Sequence, residues 1–236
     1  MKRILASALL IFIARSVPAQ SNFYKLSVGA GAGATQSFTE VPRHSFGLAG
    51  YGTLDYLFTP FISAGLEIQK GEINGGDYTK DRQSRQFVNS YKAVAVTGKI
   101  ALGQLMEDHY RGPANWIRGL YLGSGLGVIQ NSTLYTLEAA ANDPNYINVR
   151  ERTNKDIYLP VNLGINLYLA DREGYYRYGL NINYQANITN GEDLDGYDDR
   201  KLTFQSGKPD IYTFLSIGLK YNFGTIGLSK KTFRVY

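Results

Sequence analysis

Hydrophobic and polar residues alternate along this chain with a period of two. In "YYRYGLNINYQANIT" (175–189), Tyr176, Tyr178, Leu180, Ile182, Tyr184, Ala186 and Ile188 form one mostly apolar set. Arg177, Asn181, Asn183, Gln185 and Asn187 form the polar set between them. Such alternation predicts a strand with one oily face and one wet face. The same pattern recurs at 23–34, 45–56, 61–69, 90–102, 118–130, 157–169 and 211–223, which predicts eight strands of 9 to 15 residues. The connections between them alternate in length. Those at 35–44, 70–89, 131–156 and 190–210 are long, "LFTP" (57–60) and "ADREG" (170–174) are tight, and 103–117 is intermediate.

Either face of such strands could point inward. A soluble lipocalin-like barrel keeps an apolar cavity and a polar exterior. Here the wet face mixes glycine with Lys, Arg, Glu, Asn and Tyr, a set that fills a narrow polar lumen. Long loops at one end and short turns at the other are the outer-membrane plan. The oily parity is aromatic toward the short-turn end, at Tyr24, Tyr56, Tyr176, Tyr178, Tyr221 and Phe223, as a headgroup girdle requires. Phe46 and Tyr184 are the candidates for a thinner outer girdle. The expected fold is therefore all-β, an eight-stranded antiparallel up-and-down transmembrane β-barrel with both termini on the periplasmic side. Lys70, Lys92 and Arg118 share the oily parity and are expected near strand ends, snorkelling to headgroups.

Composition narrows the chemistry. The chain has 236 residues, no cysteine and only two histidines, which removes disulfide scaffolds and structural zinc. No mature segment holds 18 consecutive apolar residues, so no membrane helix is expected. Lys2 and Arg3 precede an apolar stretch from Ile4 to Ala14 and the small-residue site "SVPA", the layout of a secretory signal cut after Ala19. Loss of Lys2, Arg3 and Arg15 takes the net charge from +5 to +2. The remaining basic residues are scattered, and nucleic acid is not an expected partner.

The last strand carries the most specific motif. "SIGLKYNF" places Ser216, Gly218, Tyr221 and Phe223 as polar, glycine, aromatic and aromatic positions. It resembles the β-signal read by the barrel-assembly machinery. With the export segment and the eight-strand layout, residues 20–223 resemble the small porin-like outer-membrane barrels abundant in Bacteroidota, related in plan to the OmpA membrane domain. The resemblance implies outer-membrane location, insertion by that machinery, and contact with outer-membrane lipid and lipopolysaccharide. The expected organisation is a signal peptide at 1–19, a barrel at 20–223 and a periplasmic tail at 224–236. The tail holds Lys230, Lys231 and Arg234 beside Phe233 and Tyr236, and is read as loose or as a basic-aromatic handle.

Several motifs are weighed and set aside. "GAGAGA" (29–34) mimics a dinucleotide fingerprint but lies inside a strand with no helix after it. His44 and Ser45 sit at the outer rim, yet neighbours along a strand point to opposite faces, and no orienting carboxylate is evident. The acidic loop 191–200 lacks the EF-hand order and is read as a solvated loop. No catalytic residue, cofactor or metal site is expected.

Two constellations remain. Lys25, Asp55, Glu67, Lys99, Arg177 and Lys220 have inward parity, with most of them near the periplasmic end. They are expected to pair, helped by Asn166, Asn181, Asn222 and Tyr121, because a narrow lumen holds isolated charges poorly. The four cations against two acids suggest a base of about +2. A small-residue strip on the lipid face, Ala30, Ala32, Ala34, Gly50, Gly52 and Ala64, is a candidate docking surface for a partner barrel or lipid. The expected role is structural or interactive with a plugged lumen; the alternatives are a small, weakly anion-preferring pore and a lipid-modifying enzyme.

Overall fold

The computed structural model describes residues 21–38, 45–76, 86–106, 115–140, 143–172, 175–190, 210–229 and 231. The signal segment, His44, the acidic loop 191–200, Lys230, Phe233, Arg234 and Tyr236 lie outside them. Eight strands close in sequence order into a barrel. They are β1 (Ser21–Phe38), β2 (Phe46–Thr59), β3 (Ile62–Gly76) and β4 (Gln86–Ala101), followed by β5 (Leu120–Ala140), β6 (Asp143–Ala170), β7 (Tyr176–Thr189) and β8 (Ile211–Ser229). Every neighbouring pair is antiparallel, and β8 returns to β1, so the ring closes.

The faces sort as the alternation requires. On β4, Ala93, Ala95 and Thr97 are buried while Val94, Val96 and Ile100 are exposed. On β8, Ser216 and Lys220 are buried while Leu215, Ile217 and Leu219 are exposed. The interior is polar and the exterior apolar. Closure satisfies the backbone, and hydrocarbon accommodates the outside, so the protein is a transmembrane barrel of the outer-membrane type.

The tight connections are locally specified. At the β2–β3 turn, Thr59 Oγ1 accepts from the amides of Phe61 (3.1 Å) and Ile62 (2.9 Å). At the β6–β7 turn, Asp171 Oδ1 accepts from the Tyr175 amide at 2.8 Å. Between β4 and β5 lie short 3-10 helices at Leu102–Gln104 and Asn115–Gly119.

Strand lengths differ from expectation. The segments read as loops at 70–89 and 131–156 are largely strand. β3 and β4 stay paired to Gly76 and Gln86, and β5 and β6 to Ala140 and Asp143. By contrast β7 meets β6 only from Tyr158 onward. One wall, β3 to β6, therefore rises above the other. Beyond the membrane the outward face is wet, so the apolar alternation fades while the backbone ladder continues. β8 also continues past Phe223. Gly224 takes φ 86°, and Ile226 to Ser229 pair with Ser21 to Tyr24 beyond a β8 bulge. Residues 224–229 are thus sheet, not loose tail, and the Lys231 ammonium donates to the Met106 carbonyl at 2.6 Å.

Candidate functional site

The lumen is built in three layers. At the periplasmic end the Asp55 carboxylate receives Lys220 at 2.8 Å and Lys99 at 3.3 Å. These side chains come from β2, β8 and β4, and all three are buried. One carboxylate with two ammoniums reaches from β8 across to β4, half of the ring, and ties non-adjacent strands together. Below them, Phe61, Ala101 and Tyr121 pack as an apolar floor. A cavity of about 20 Å³ lies between, touching Ser27, Asp55, Lys99, Tyr121, Lys220 and Asn222, with room for a single water.

The middle layer is held by amides. Glu67 Oε1 accepts from Gln69 Nε2 (2.7 Å) and Gln185 Nε2 (2.9 Å), and Tyr91 donates to Gln69 Oε1 at 3.1 Å. The expectation that Glu67 pairs with a lysine or arginine is therefore corrected. Its inward cross-strand neighbours are Thr53 and Ala95, and no ion pair joins it to a described cation. Alongside runs a second chain. Asn181 Nδ2 donates to Asn166 Oδ1 (2.9 Å) and to the Tyr121 hydroxyl (3.0 Å), and Asn181 Oδ1 accepts from Tyr51 at 3.1 Å. Asn222 is used elsewhere, donating to the Tyr176 carbonyl at 2.8 Å.

The upper layer is apolar and aromatic. Ile73, Phe87, Tyr91, Ile129, Tyr158 and Tyr212 are fully enclosed. The bulk of the lumen aromatics is matched by glycine. A Cβ on Gly31 would lie 2.6 Å from the Tyr51 ring, and one on Gly164 would lie 2.6 Å from the Tyr121 ring. Gly127 lies beneath Tyr158 and Gly75 beneath Phe87 in the same way. The motif glycine Gly218 lies beneath the Tyr51 hydroxyl. The aromatic layer and the Gln69–Gln185 pair were missed in the sequence; inward aromatics opposite glycines were the readable sign.

Two expected lumen cations are elsewhere. Lys25 lies opposite the β8 bulge at Gly224 and Thr225, half-buried, and is not a partner of Asp55. Arg177 falls at the β6–β7 irregularity between Leu169 and Ala170. It leaves the lumen for the periplasmic rim, where it binds Asp171 (3.0 Å), the hydroxyls of Tyr221 and Tyr24, and the face of the Tyr24 ring. A bulge adds one residue and shifts side-chain parity by one. Of the six expected lumen charges, Asp55, Lys99 and Lys220 pair with one another inside the barrel. Arg118, expected to snorkel outward, is instead fully buried on the second 3-10 helix.

Outside, Tyr178, Tyr221 and Phe223 form a contiguous girdle with ring separations of 5.6 and 6.1 Å. Of the motif residues, Ser216 and Gly218 face inward and Tyr221 and Phe223 outward. Within the small-residue strip, Ala30 pairs with Gly52 and Ala32 with Gly50, while Ala34 lies beside Leu48. Ala64 is apart from it, opposite Tyr56 and Gly98. Ser45 Oγ donates to the Gly76 carbonyl at 3.3 Å. Among the described residues no cluster of His, Cys, Asp or Glu could hold a metal ion.

No protein-family model and no curated protein matches the chain. Solved structures do resemble it. Neisserial surface protein A is 10% identical with a TM-score of 0.47, covering 86% of this chain and 99% of that one. The attachment invasion locus protein Ail of Yersinia pestis, crystallised with the heparin analogue sucrose octasulfate, is 8% identical with a TM-score of 0.44, covering 85% and 99%. The outer membrane protein OprG from Pseudomonas aeruginosa is 8% identical with a TM-score of 0.40, covering 85% and 98%.

Proposed function

We propose that the protein serves the outer membrane as a structural and interaction barrel, not as a conduit or an enzyme. The observation that carries this reading is the filled lumen. The Asp55–Lys99–Lys220 knot, the Glu67 amide layer and the aromatic layer follow one another across its height. Eight strands enclose only enough space for side chains, and here side chains occupy it. The raised β3–β6 wall offers surface for partners on the cell exterior, which the buried interior does not. Lipopolysaccharide, the assembly machinery during insertion, and a further outer-membrane or periplasmic protein are the proposed partners. The small-solute pore is the weaker reading, because side chains fill the lumen and Arg177, one of the cations its anion preference depended on, lies at the periplasmic rim.

Planar bilayers separate the two. The purified barrel is expected to insert without stepwise conductance at 1 M salt. Reproducible single-channel steps from the wild-type protein would overturn the plugged reading. Purification from native membranes in mild detergent, with identification of co-purifying species, tests the interaction role.

A further inference from the structure

The outward face of β3 to β6 carries three rungs of sharply different chemistry. The lowest aligns Ile68, Val94, Val128 and Ile157. The next aligns Lys70, Lys92, Gln130 and Lys155. The one above aligns Glu72, Ser90, Ser132 and Thr153. Lys70, Lys92 and Lys155 are all exposed, and no hydrogen bond or ion pair joins any of them to a described residue. Lys70 lies well inside β3, not at the strand end where sequence placed it. The apolar-to-polar boundary therefore falls at the cationic rung, which marks headgroup depth at the end of the barrel opposite the termini.

Like charges directly opposite on neighbouring strands repel. Lys70 and Lys92 are such a pair, and Glu72, two residues above, is the one acid on these three rungs. A phosphate between the two ammoniums removes the repulsion and gains two charge-assisted hydrogen bonds. Lys155 stands two strands further on, about 10 Å from Lys92, with the Gln130 amide between. That spacing suits a headgroup bearing more than one phosphate. We infer that Lys70, Lys92 and Lys155 form a binding site for a multiply phosphorylated outer-leaflet glycolipid of the lipid A class. Its phosphates lie on the cationic rung and its acyl chains run down the Ile68–Ile157 face. The site rests on the transmembrane reading and gives the proposed lipid partner a specific location.

The test uses the full mature barrel folded in a neutral detergent and titrated with lipid while its thermal unfolding is followed. Diphosphoryl lipid A is expected to raise the unfolding temperature of wild type. The Lys70→Gln/Lys92→Gln variant should need about tenfold or more lipid for the same shift. Lys70→Arg/Lys92→Arg should keep the wild-type response. Dephosphorylated lipid A, phosphatidylglycerol and inorganic phosphate should each act alike on wild type and the glutamine variant. The site is overturned if the folded glutamine variant responds as wild type does. It is equally overturned if dephosphorylated lipid A or inorganic phosphate reproduces the wild-type shift. Flotation of both proteins with lipid vesicles tests membrane insertion separately, so its failure would be distinct from loss of the site.

Discussion

Asp55 is the residue on which the lower lumen depends. Two ammonium groups reach it in a space where each is more than nine-tenths buried. Replacing Asp55 by Asn leaves Lys99 and Lys220 facing each other without a counter-charge, and a broken buried pair costs about 3–5 kcal/mol. D55N is expected to unfold at a clearly lower urea concentration, while D55N/K99M/K220M recovers most of the loss. Equal midpoints for D55N and wild type would refute the account. Glu67 is expected to behave differently. Its oxygen is held by amide donors, and Gln at 67 keeps an acceptor there, so E67Q should cost under about 1 kcal/mol in the same assay. The contrast explains what was legible at this scale. Asp55, Lys99 and Lys220 could be grouped in sequence because inward parity and the cost of burying charge leave few arrangements. Arg177 could not, because it is the extra residue of a β7 bulge, and a one-residue insertion reverses parity without marking the sequence.

Among the strands, alternation located every member of the barrel but misjudged where several of them stop. The pattern records contact with hydrocarbon, not hydrogen bonding, so β3 to β6 look shorter in sequence than they are. The β8 extension was hidden for a related reason. The assembly motif ends at Phe223, but pairing with Ser21 to Tyr24 does not. Glycine placement is the better guide to how the strands pack. A Cβ on Gly75 of β3 would meet only the ring of Phe87 on β4 among its nearest atoms. Gly75→Ala should therefore cost about 1–3 kcal/mol by overpacking. Phe87→Leu in the same chain should return much of it, a positive coupling read from a double-mutant cycle in detergent. Additive losses would show that the glycine serves some other purpose than making room for the ring.

For the molecule as a whole, the decisive relation is between the three outward rungs and the medium around them. A soluble barrel would treat Val96 and Ser90, both outward-facing on β4, as equivalent surface positions. A barrel in a bilayer does not. Val96 pairs with Leu66 and Leu126 inside the apolar band, whereas Ser90 stands one rung above the lysines. Lysine placed near mid-bilayer costs about 2–4 kcal/mol, falling to about 0–1 kcal/mol near the interface. Val96→Lys should therefore destabilise the barrel in lipid vesicles by several times the cost of Ser90→Lys, as read from reversible urea unfolding. In water both changes would be close to neutral, since an exposed lysine is well solvated. The depth profile also locates the cationic rung independently of any ligand. Val94→Lys, one rung below Lys92, should already carry a measurable part of the penalty. If the costs at Val96, Val94 and Ser90 are equal, the apolar band does not meet hydrocarbon, and the lipid contacts inferred from it have no basis.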